Sequence, residues 1–329
     1  MANLPAISSL WIGGELSWLE QLCLKSFADA GHRTTLYSYD PISNVPEGVL
    51  TADAATIYPR EPMLKHARTG SPAIHADMWR LHLLKKTDEV WVDADMYCYR
   101  PFDYSSEHIY GWEKHPHLVC NAVLGLPKDS PALNEMLEFF SDPYVIAPWL
   151  SADQIHELEK ERDAGTPVHI TEQTWGFTGP ASVTYFLKKT GEIKHALPVE
   201  AFYPVPFKTR NHLILTRFNS DVNDMINDNT RGVHFWARRM KPRLEEKENN
   251  TPRTNSFMDR LISKHNIDPK LAPIKPKVFP NAERDADPEF RAKVAKELKS
   301  GEKSIDMICR EYLVDKQFVK ACKAELKAK

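Results

Sequence analysis

The first forty residues alternate between strand-like and helix-like segments, and this alternation constrains the fold more than any other feature of the chain. Residues 6–11 form a short apolar run before Gly13 and Gly14, which is typical of a buried strand leading into a loop. Residues 18–27 carry apolar side chains at helical spacing after Ser17, a favoured N-cap residue, and residues 34–39 alternate like a second strand. A strand, a helix and a strand with short joints predict an α/β fold.

The next segments continue this pattern. Residues 71–86 are predicted to form a helix with two lysines in its last turn, and residues 89–95 a strand rich in β-branched and aromatic side chains. Residues 119–126 are a further strand candidate. Two more helices are predicted, over 131–140 and over 181–188.

A change of composition near residue 269 predicts a domain boundary. The chain has 329 residues, enough for one large domain and a small one. Prolines at 269, 273, 276 and 280 interrupt any helical period, so we interpret 269–281 as a linker. The predicted organisation is a large α/β domain over 1–268, this linker, and a small domain over 282–329 that contains three short helices and resembles a helix-turn-helix module.

Charge and cysteine usage limit the classes of partner and compartment. The 43 basic and 45 acidic residues nearly cancel, which argues against a charge field of the whole chain that would hold nucleic acid or a membrane. Five scattered cysteines without a CxxC pair suit a reducing compartment. The sequence contains neither a long apolar run nor a basic N-terminal region typical of a signal peptide. We therefore expect a cytoplasmic protein with no membrane span.

Two acidic residues at the end of the predicted strand 89–95 are the strongest chemical signal. Side chains alternate along a strand, so Asp93 and Asp95 are expected to point to the same side. Carboxylates this close repel each other unless protons or a cation intervene, which suits Mg²⁺ or Mn²⁺ bridging a diphosphate. A solvated strand end is the alternative interpretation.

Three further residues could complete such a site. Asp77 and Arg80 stand three positions apart on a predicted helix, so they share a face and could contact a ribose hydroxyl and a phosphate. A surface ion pair is the alternative. His234, in another apolar run, could be a third ligand for Mn²⁺, or a histidine that is simply packed and hydrogen-bonded.

Taken in order, these segments resemble a family of glycosyltransferases that carry an Asp-x-Asp motif. This family includes glycosyltransferase family 32, α-1,4-glycosyltransferases, yeast mannosyltransferases and, more distantly, clostridial glucosylating toxins. The resemblance covers roughly residues 4–240. The motifs that carry it are Leu10-Trp11-Ile12-Gly13-Gly14, Ala73-x-x-Ala76-Asp77-x-x-Arg80, Val90-Trp91-Val92-Asp93-Ala94-Asp95, Asn121, Thr178-Gly179-Pro180 and His234-x-Trp236.

The resemblance implies a GT-A fold, a Rossmann-like mixed sheet flanked by helices, and a retaining hexosyltransferase that uses Mn²⁺ or Mg²⁺ and a nucleotide-sugar donor, usually uridine-based. It implies Asp93, Asp95 and His234 as metal ligands, and Asp95, Asp93 and Arg80 as catalytic residues. Trp11 would stack near the uracil. The substrate-binding set that it implies is Trp11, Gly13, Asp77, Arg80, Asp93, Asn121, Thr178, Gly179 and Trp236.

The sequence departs from the family pattern after His234-x-Trp236. Family members often continue with two residues and Ser-Trp, whereas here residues 237–241 read Ala-Arg-Arg-Met-Lys. The basic residues of this segment, Arg238, Arg239 and Lys241, could themselves approach the diphosphate.

The acceptor is not fixed by the family. Residues 289–329 carry a net charge of +4, so one hypothesis is DNA contact through 282–329 and transfer to a 5-hydroxymethylpyrimidine in bacteriophage DNA. A protein-contacting helical bundle is the alternative for this tail. The competing functions are a cytoplasmic bacterial enzyme of surface polysaccharide or glycolipid synthesis, with a glycan acceptor hydroxyl, and a non-catalytic adaptor that binds nucleic acid or protein.

Overall fold

The computed structural model describes residues 4–275, 282–301, 303–312, 314 and 316–328. The chain divides into two compact units. The first comprises the described parts of residues 1–62, 76–141 and 178–276, and the second those of residues 63–75, 142–177 and 277–329. The predicted domain boundaries, at 268 and 282, stay a prediction.

The first unit is built on a mixed sheet. The strands of this unit are β1 (Ile7–Trp11), β2 (Thr34–Ser38), β3 (Val49–Asp53), β4 (Val90–Val92), β5 (Met96–Cys98), β6 (Ile109–Lys114), β7 (Leu118–Gly125) and β8 (Gly232–His234). Six of them pair in the order β3-β2-β1-β4-β7-β6, and β5 pairs separately with β8. Strands β1 to β4 run parallel, whereas β7 is antiparallel to both β4 and β6.

Helices of the first unit connect and flank these strands, which confirms the predicted α/β class with a mixed sheet. The α-helices of the described residues are α1 (Trp18–Asp29), α2 (Ala73–Lys86), α3 (Pro131–Phe139), α4 (Ala152–Asp163), α5 (Ser182–Thr190), α6 (Asn219–Met225), α7 (Ala237–Lys247), α8 (Phe257–Lys264), α9 (Ala282–Ala286), α10 (Pro288–Ser300), α11 (Ile305–Glu311) and α12 (Lys316–Ala328). A 3₁₀ segment, Phe207–Ile214, precedes α6.

Helix α1 shows how local sequence and packing agree. Its N-cap residue Ser17 donates from both its backbone N–H and its hydroxyl to Glu20, at 3.0 and 2.6 Å, which fixes the first turn. Trp18, Leu19 and Leu22 are fully buried in the core that β5, β8 and α8 share with this helix. The predicted helix therefore forms where its apolar face has a partner.

The strand order creates a switch point between β1 and β4. Strand β2 lies on one side of β1 and β4 lies on the other, and all three run in the same direction. In open α/β sheets, ligands bind outside the carboxyl ends of strands at such a point. Trp11, at the end of β1, and Asp93, directly after β4, both stand at this edge.

The predicted strand 89–95 is shorter than expected. It ends at Val92, and the chain then turns: the N–H of Asp93 donates to Ala122 O at 2.8 Å and that of Met96 to Asp93 O at 2.9 Å. Aspartate disfavours strands and stabilises turns, so the acidic pair ends the strand that the apolar residues begin.

The first part of the predicted linker packs on the first unit. Ala272 and Ile274 are buried in its core, and Ile274 N–H donates to Asn250 Oδ1 at 2.6 Å. Residues 276–281, the remainder of the predicted linker, lie outside the described residues. The apolar side chains between the prolines thus anchor residues 272–274.

The three predicted C-terminal helices are α10, α11 and α12 of the second unit. They enclose a small apolar core in which Val294, Ile308 and Val319 are fully buried. Ion pairs join Arg291 to Glu325 and Lys303 to both Glu297 and Glu311. Within the described ranges, no helix combines the length and the apolar character needed to cross a membrane.

The burial of α1 predicts a large stability effect of one leucine. Leu22→Ala removes a fully buried side chain and should lower the free energy of unfolding by about 3 kcal/mol. Leu50→Ala, at a position where the side chain is 49% exposed, is the matched control and should change it by less than about 0.5 kcal/mol. Urea unfolding measures both, and equal effects would contradict the assigned core.

Candidate functional site

Three potential metal ligands meet at the edge of the sheet. Asp93, Asp95 and His234 each offer one ligand atom, and these atoms all lie within 4.8 Å of one another. The imidazole of His234 is 9% exposed, and the carboxylates of Asp95 and Asp93 are 16% and 31% exposed. The group is therefore mostly sheltered but open to a small ligand.

Pairing of β5 with β8 brings His234 to the two aspartates. Met96 is opposite His234 in this antiparallel ladder, and the N–H of Phe235 donates to Asp95 O at 2.9 Å. The His234 Nε2 atom lies 3.1 Å from Asp95 Oδ1 although 139 positions separate the residues. The small second sheet is what completes the group.

Neighbouring N–H groups hold both carboxylates in place. Asp95 Oδ2 accepts a hydrogen bond of 2.7 Å from the N–H of Ala237, the first residue of α7. Asp93 Oδ1 accepts from the indole N–H of Trp91 at 2.9 Å and lies 3.3 Å from Arg80 Nη1. These donors orient both aspartates before any ligand binds.

Burial and neighbouring charges shift the pKa values of all three side chains. Burial and the negative charge of Asp95 raise the pKa of Asp93, even though Arg80 opposes the shift. Burial also works against charging Asp95, but the charge and hydrogen bond of His234 and the N–H of Ala237 lower its pKa below the usual value. Burial disfavours imidazolium at His234, yet Asp95 raises the pKa of this histidine above its ordinary value.

The donor set suits a hard divalent cation. Two carboxylates and one imidazole are ligands that Mn²⁺ accepts, and Mg²⁺ binds through similar oxygens. In the part of the chain that the structure describes, the buried Nδ1 atom of His234 has no hydrogen-bond partner. The Nε2 atom of His234 faces Asp95, and one potential ligand atom from each of the three residues lies within 4.8 Å of the others, so these residues fit such an ion.

A buried polar network adjoins the metal group. Asp77 accepts hydrogen bonds from Asn121 Nδ2 at 3.1 Å and from the hydroxyl of Thr178 at 2.6 Å, and it lies 3.2 Å from Arg80 Nη2. Arg80 also donates to Asn121 O at 2.5 Å. A Cβ atom at Gly179 would lie 3.5 Å from both Asp77 and Asn121, so this glycine borders the network.

This network differs from a surface ion pair, the alternative expected for Asp77 and Arg80. Their side chains are only 11% and 7% exposed, and Arg80 also stacks over the ring of Trp91 at 4.5 Å from its centroid. Buried ion pairs of this kind persist only when further hydrogen bonds satisfy the remaining groups. Arg80 thus contacts both Asp77 and Asp93.

Trp11 and Gly13 lie at the end of β1, beside a cavity of about 150 Å³. Lys241 stands over the Trp11 ring, 5.4 Å from its centroid, and forms an ion pair with the buried Glu20. Gly13 has φ +152°, a backbone conformation that favours glycine, and the indole N–H of Trp11 donates to Gly14 O at 2.8 Å. Trp11 and Lys241 thus line the same cavity.

The ring of Trp236 packs against the imidazole of His234. It is 8% exposed, its ring lies 4.1 Å from that of His234, and its indole N–H donates to Val205 O at 3.1 Å. Its φ of 56° is unusual for an aromatic residue, and it turns the chain from β8 into α7. The structure therefore places the Trp236 ring against His234, with the indole N–H of Trp236 already engaged by Val205.

Two contributors were not predicted from the sequence. The backbone N–H of Ala237 binds Asp95, and the indole of Trp91 binds Asp93. No sequence signal reports a backbone donor. Trp91, in contrast, stands two positions before Asp93, and strand alternation could have indicated that both face the same side.

Solved structures, but neither family models nor curated proteins, are similar to this chain. No protein-family model matches the sequence, and no curated protein matches it. Among solved structures, a chain titled "PaToxG Glycosyltransferase" is similar, with 14% sequence identity and a TM-score of 0.38 over 58% of this chain and 73% of that one. Membership in glycosyltransferase family 32 is not confirmed, and the function proposed below depends on the geometry of the site.

The buried network predicts a strong effect of removing Asp77. Asp77→Ala removes the buried carboxylate that pairs with Arg80 and accepts hydrogen bonds from Asn121 and Thr178, and it should lower the free energy of unfolding by about 3 kcal/mol. Asp40→Ala breaks an exposed pair with Arg60 and should cost less than about 1 kcal/mol. Denaturant unfolding measures both variants. If the two losses were alike, Asp77 would not be a buried structural anion.

Proposed function

We propose that this chain is a metal-dependent glycosyltransferase that moves a hexosyl group from a nucleotide sugar to a hydroxyl acceptor. The observation that carries the proposal is the group of Asp93, Asp95 and His234, whose potential ligand atoms lie within 4.8 Å at the switch point of an α/β sheet. A UDP-sugar donor, Mn²⁺ as the preferred cation and a GT-A fold are parts of the same proposal.

The residues of the chain have separate tasks in this proposal. A cation held by Asp93, Asp95 and His234 would neutralise charge on the departing diphosphate. Trp11 offers a ring face to the base of the nucleotide, in the cavity that it lines with Lys241. The N-terminus of α7 adjoins Asp95 and carries Arg238 and Arg239 in its first turn, where positive charge favours an approaching phosphate.

The buried network is assigned to the sugar. Asn121, Thr178 and Gly179 converge on Asp77, and Arg80 joins this cluster to Asp93. A rigid set of polar groups next to the metal group is what holds a sugar ring in one orientation and brings an acceptor hydroxyl close to its anomeric carbon. Retention of configuration belongs to the proposal because the family resemblance implies it.

A pyrimidine hydroxymethyl group of DNA is the proposed acceptor. The support is the basic balance of residues 289–329 and the exposed Lys320 and Lys323 of α12. Other basic residues of this unit, Arg291 and Lys303, are paired with glutamates and contribute less to an outward field. The alternative functions are transfer to a glycan acceptor in surface polysaccharide or glycolipid synthesis, and binding of nucleic acid or protein as a non-catalytic adaptor. The proposed location is the cytoplasm.

Loss of one metal ligand should abolish the activity but leave the fold intact. We expect Asp95→Ala to reduce Mn²⁺-dependent hydrolysis of the active nucleotide sugar by about a hundredfold or more. Without this ligand the cation binds weakly and no longer neutralises the charge on the departing diphosphate. Asp224→Ala, at an exposed position, is the control and should retain full activity. A screen of nucleotide sugars with and without Mn²⁺ identifies the donor. Near-normal turnover by Asp95→Ala would refute the metal assignment, and no hydrolysis of any donor by the wild type would favour an adaptor.

Charge reversal on α12 tests the DNA acceptor. Lys320→Glu with Lys323→Glu should weaken binding of hydroxymethylpyrimidine duplex and reduce the slope of log affinity against log salt by about two. Lys264→Glu with Lys270→Glu makes the same charge change at exposed positions of the first unit and should leave binding unchanged. Gel shifts over a salt series, with a glycosyl-transfer assay, measure both. If the wild-type protein shows no salt-sensitive binding of this duplex and no transfer to it, but does transfer the sugar to a glycan, the DNA acceptor is rejected in favour of the glycan.

A further inference from the structure

We propose that Trp91 is a positioning residue for the metal group: its indole N–H holds Oδ1 of Asp93, so that the carboxylate meets a divalent cation through its other oxygen. This inference rests on the proposed metal site and deepens it. It concerns how the protein selects among divalent cations, which neither the family resemblance nor the comparisons address.

The hydrogen bond from Trp91 is built into the core of the sheet. Trp91 is only 2% exposed and lies in β4, where it is paired with Leu124 of β7. Its indole N–H donates to Asp93 Oδ1 at 2.9 Å. Because buried side chains are closely packed, the burial of this ring restricts its movement and holds the donor in place.

Arg80 secures the same oxygen from a second direction. Its Nη1 atom lies 3.3 Å from Asp93 Oδ1, and its guanidinium stacks on the Trp91 ring at 4.5 Å. Arg80 is itself fixed, because it donates to Asn121 O at 2.5 Å and pairs with Asp77 at 3.2 Å. The indole N–H of Trp91 and the guanidinium of Arg80 therefore both engage Oδ1 of Asp93, the first through a hydrogen bond and the second as an ion pair.

The oxygen of Asp93 that is already held affects which cations this carboxylate can bind. A carboxylate with both oxygens free can bind Ca²⁺ in a bidentate manner, as this ion accepts six to eight ligands in flexible geometry, whereas Mg²⁺ requires a compact octahedral shell. With Oδ1 of Asp93 held by Trp91 and Arg80, bidentate binding is disfavoured. The site should then prefer Mn²⁺ or Mg²⁺ to Ca²⁺ more strongly than three free ligands would.

The test is Trp91→Phe, which keeps an aromatic face for Arg80 but removes the N–H donor. We expect the dissociation constant for Mn²⁺, measured by electron paramagnetic resonance of free and bound ion, to rise about tenfold, as is typical when a partner of a ligand is lost. The affinity for Ca²⁺, measured by competition, should fall less, so that the preference for Mn²⁺ narrows. A loss of packing alone would not change the ratio of the two affinities.

Trp18→Phe is the matched control. Trp18 is also fully buried, and its indole N–H donates at 2.9 Å, but to the backbone oxygen of Asn250 rather than to a ligand. This variant should share any loss of thermal stability and retain the Mn²⁺ affinity and the Mn²⁺ to Ca²⁺ ratio of the wild type. Incorporation of 3-benzothienylalanine at position 91, which replaces the N–H by sulfur in a ring of the same size, tests the same point if the phenylalanine variant does not fold.

The possible outcomes are distinct. A Mn²⁺ dissociation constant within twofold of the wild type in the position 91 variants, or an unchanged ratio of affinities, would overturn the inference. If the wild type binds no Mn²⁺, the metal site and this inference fail together. Weaker Mn²⁺ binding with a narrowed preference, in a protein that hydrolyses no nucleotide sugar, would support the positioning role and refute only the proposed transferase.

Discussion

Mutual repulsion between two neighbouring carboxylates is the constraint on which the rest of the site depends. Asp93 and Asp95 stand in one turn, and the chain supplies a different positive partner to each. Arg80 faces Asp93, and the N-terminus of α7 faces Asp95. Because each partner engages a defined oxygen, the pair is held close and oriented in spite of its charge. Arg80 and the N–H of Ala237, which lie outside the Asp-x-Asp motif, therefore orient its two carboxylates toward one site.

The second constraint is the junction between β8 and α7. Pairing of β8 with β5 sets His234 beside Asp95, and the left-handed backbone of Trp236 then redirects the chain so that a helix begins at once. A helix that starts here has free N–H groups and a positive end, and the first N–H meets Asp95. Trp236 has a sparsely populated backbone conformation next to the candidate metal group. The contact of its ring with His234 is one of the interactions that hold this conformation.

The sequence predicts much of this because many of its signals are local. Caps and apolar periodicity located α1, α2 and α3, and alternating or apolar runs located β1, β2 and β7. The pairing of β5 with β8 joins distant segments of three residues each, too short to carry a periodic signal, so the contact of His234 was predicted only from residue type and from the family resemblance. The strand end at Val92 and the burial of Ile274 were missed for a related reason: a turn and an anchor each depend on tertiary partners that composition does not report.

Charge balance explains why a divalent cation suits this cluster better than further protons. Asp77, Asp93 and Asp95 carry three negative charges against the one positive charge of Arg80, and the nearby Lys241 is already paired with Glu20. With a neutral imidazole, the form in which histidine binds metals, the cluster has a net charge of −2. Burial and the charge of Asp95 raise the pKa of Asp93, and Asp95 raises the pKa of His234 in spite of its burial, so the crowded negative charge favours the protonated form of both groups. One divalent cation cancels it completely and leaves every group in its metal-binding form, so protons and metal compete for the same three side chains.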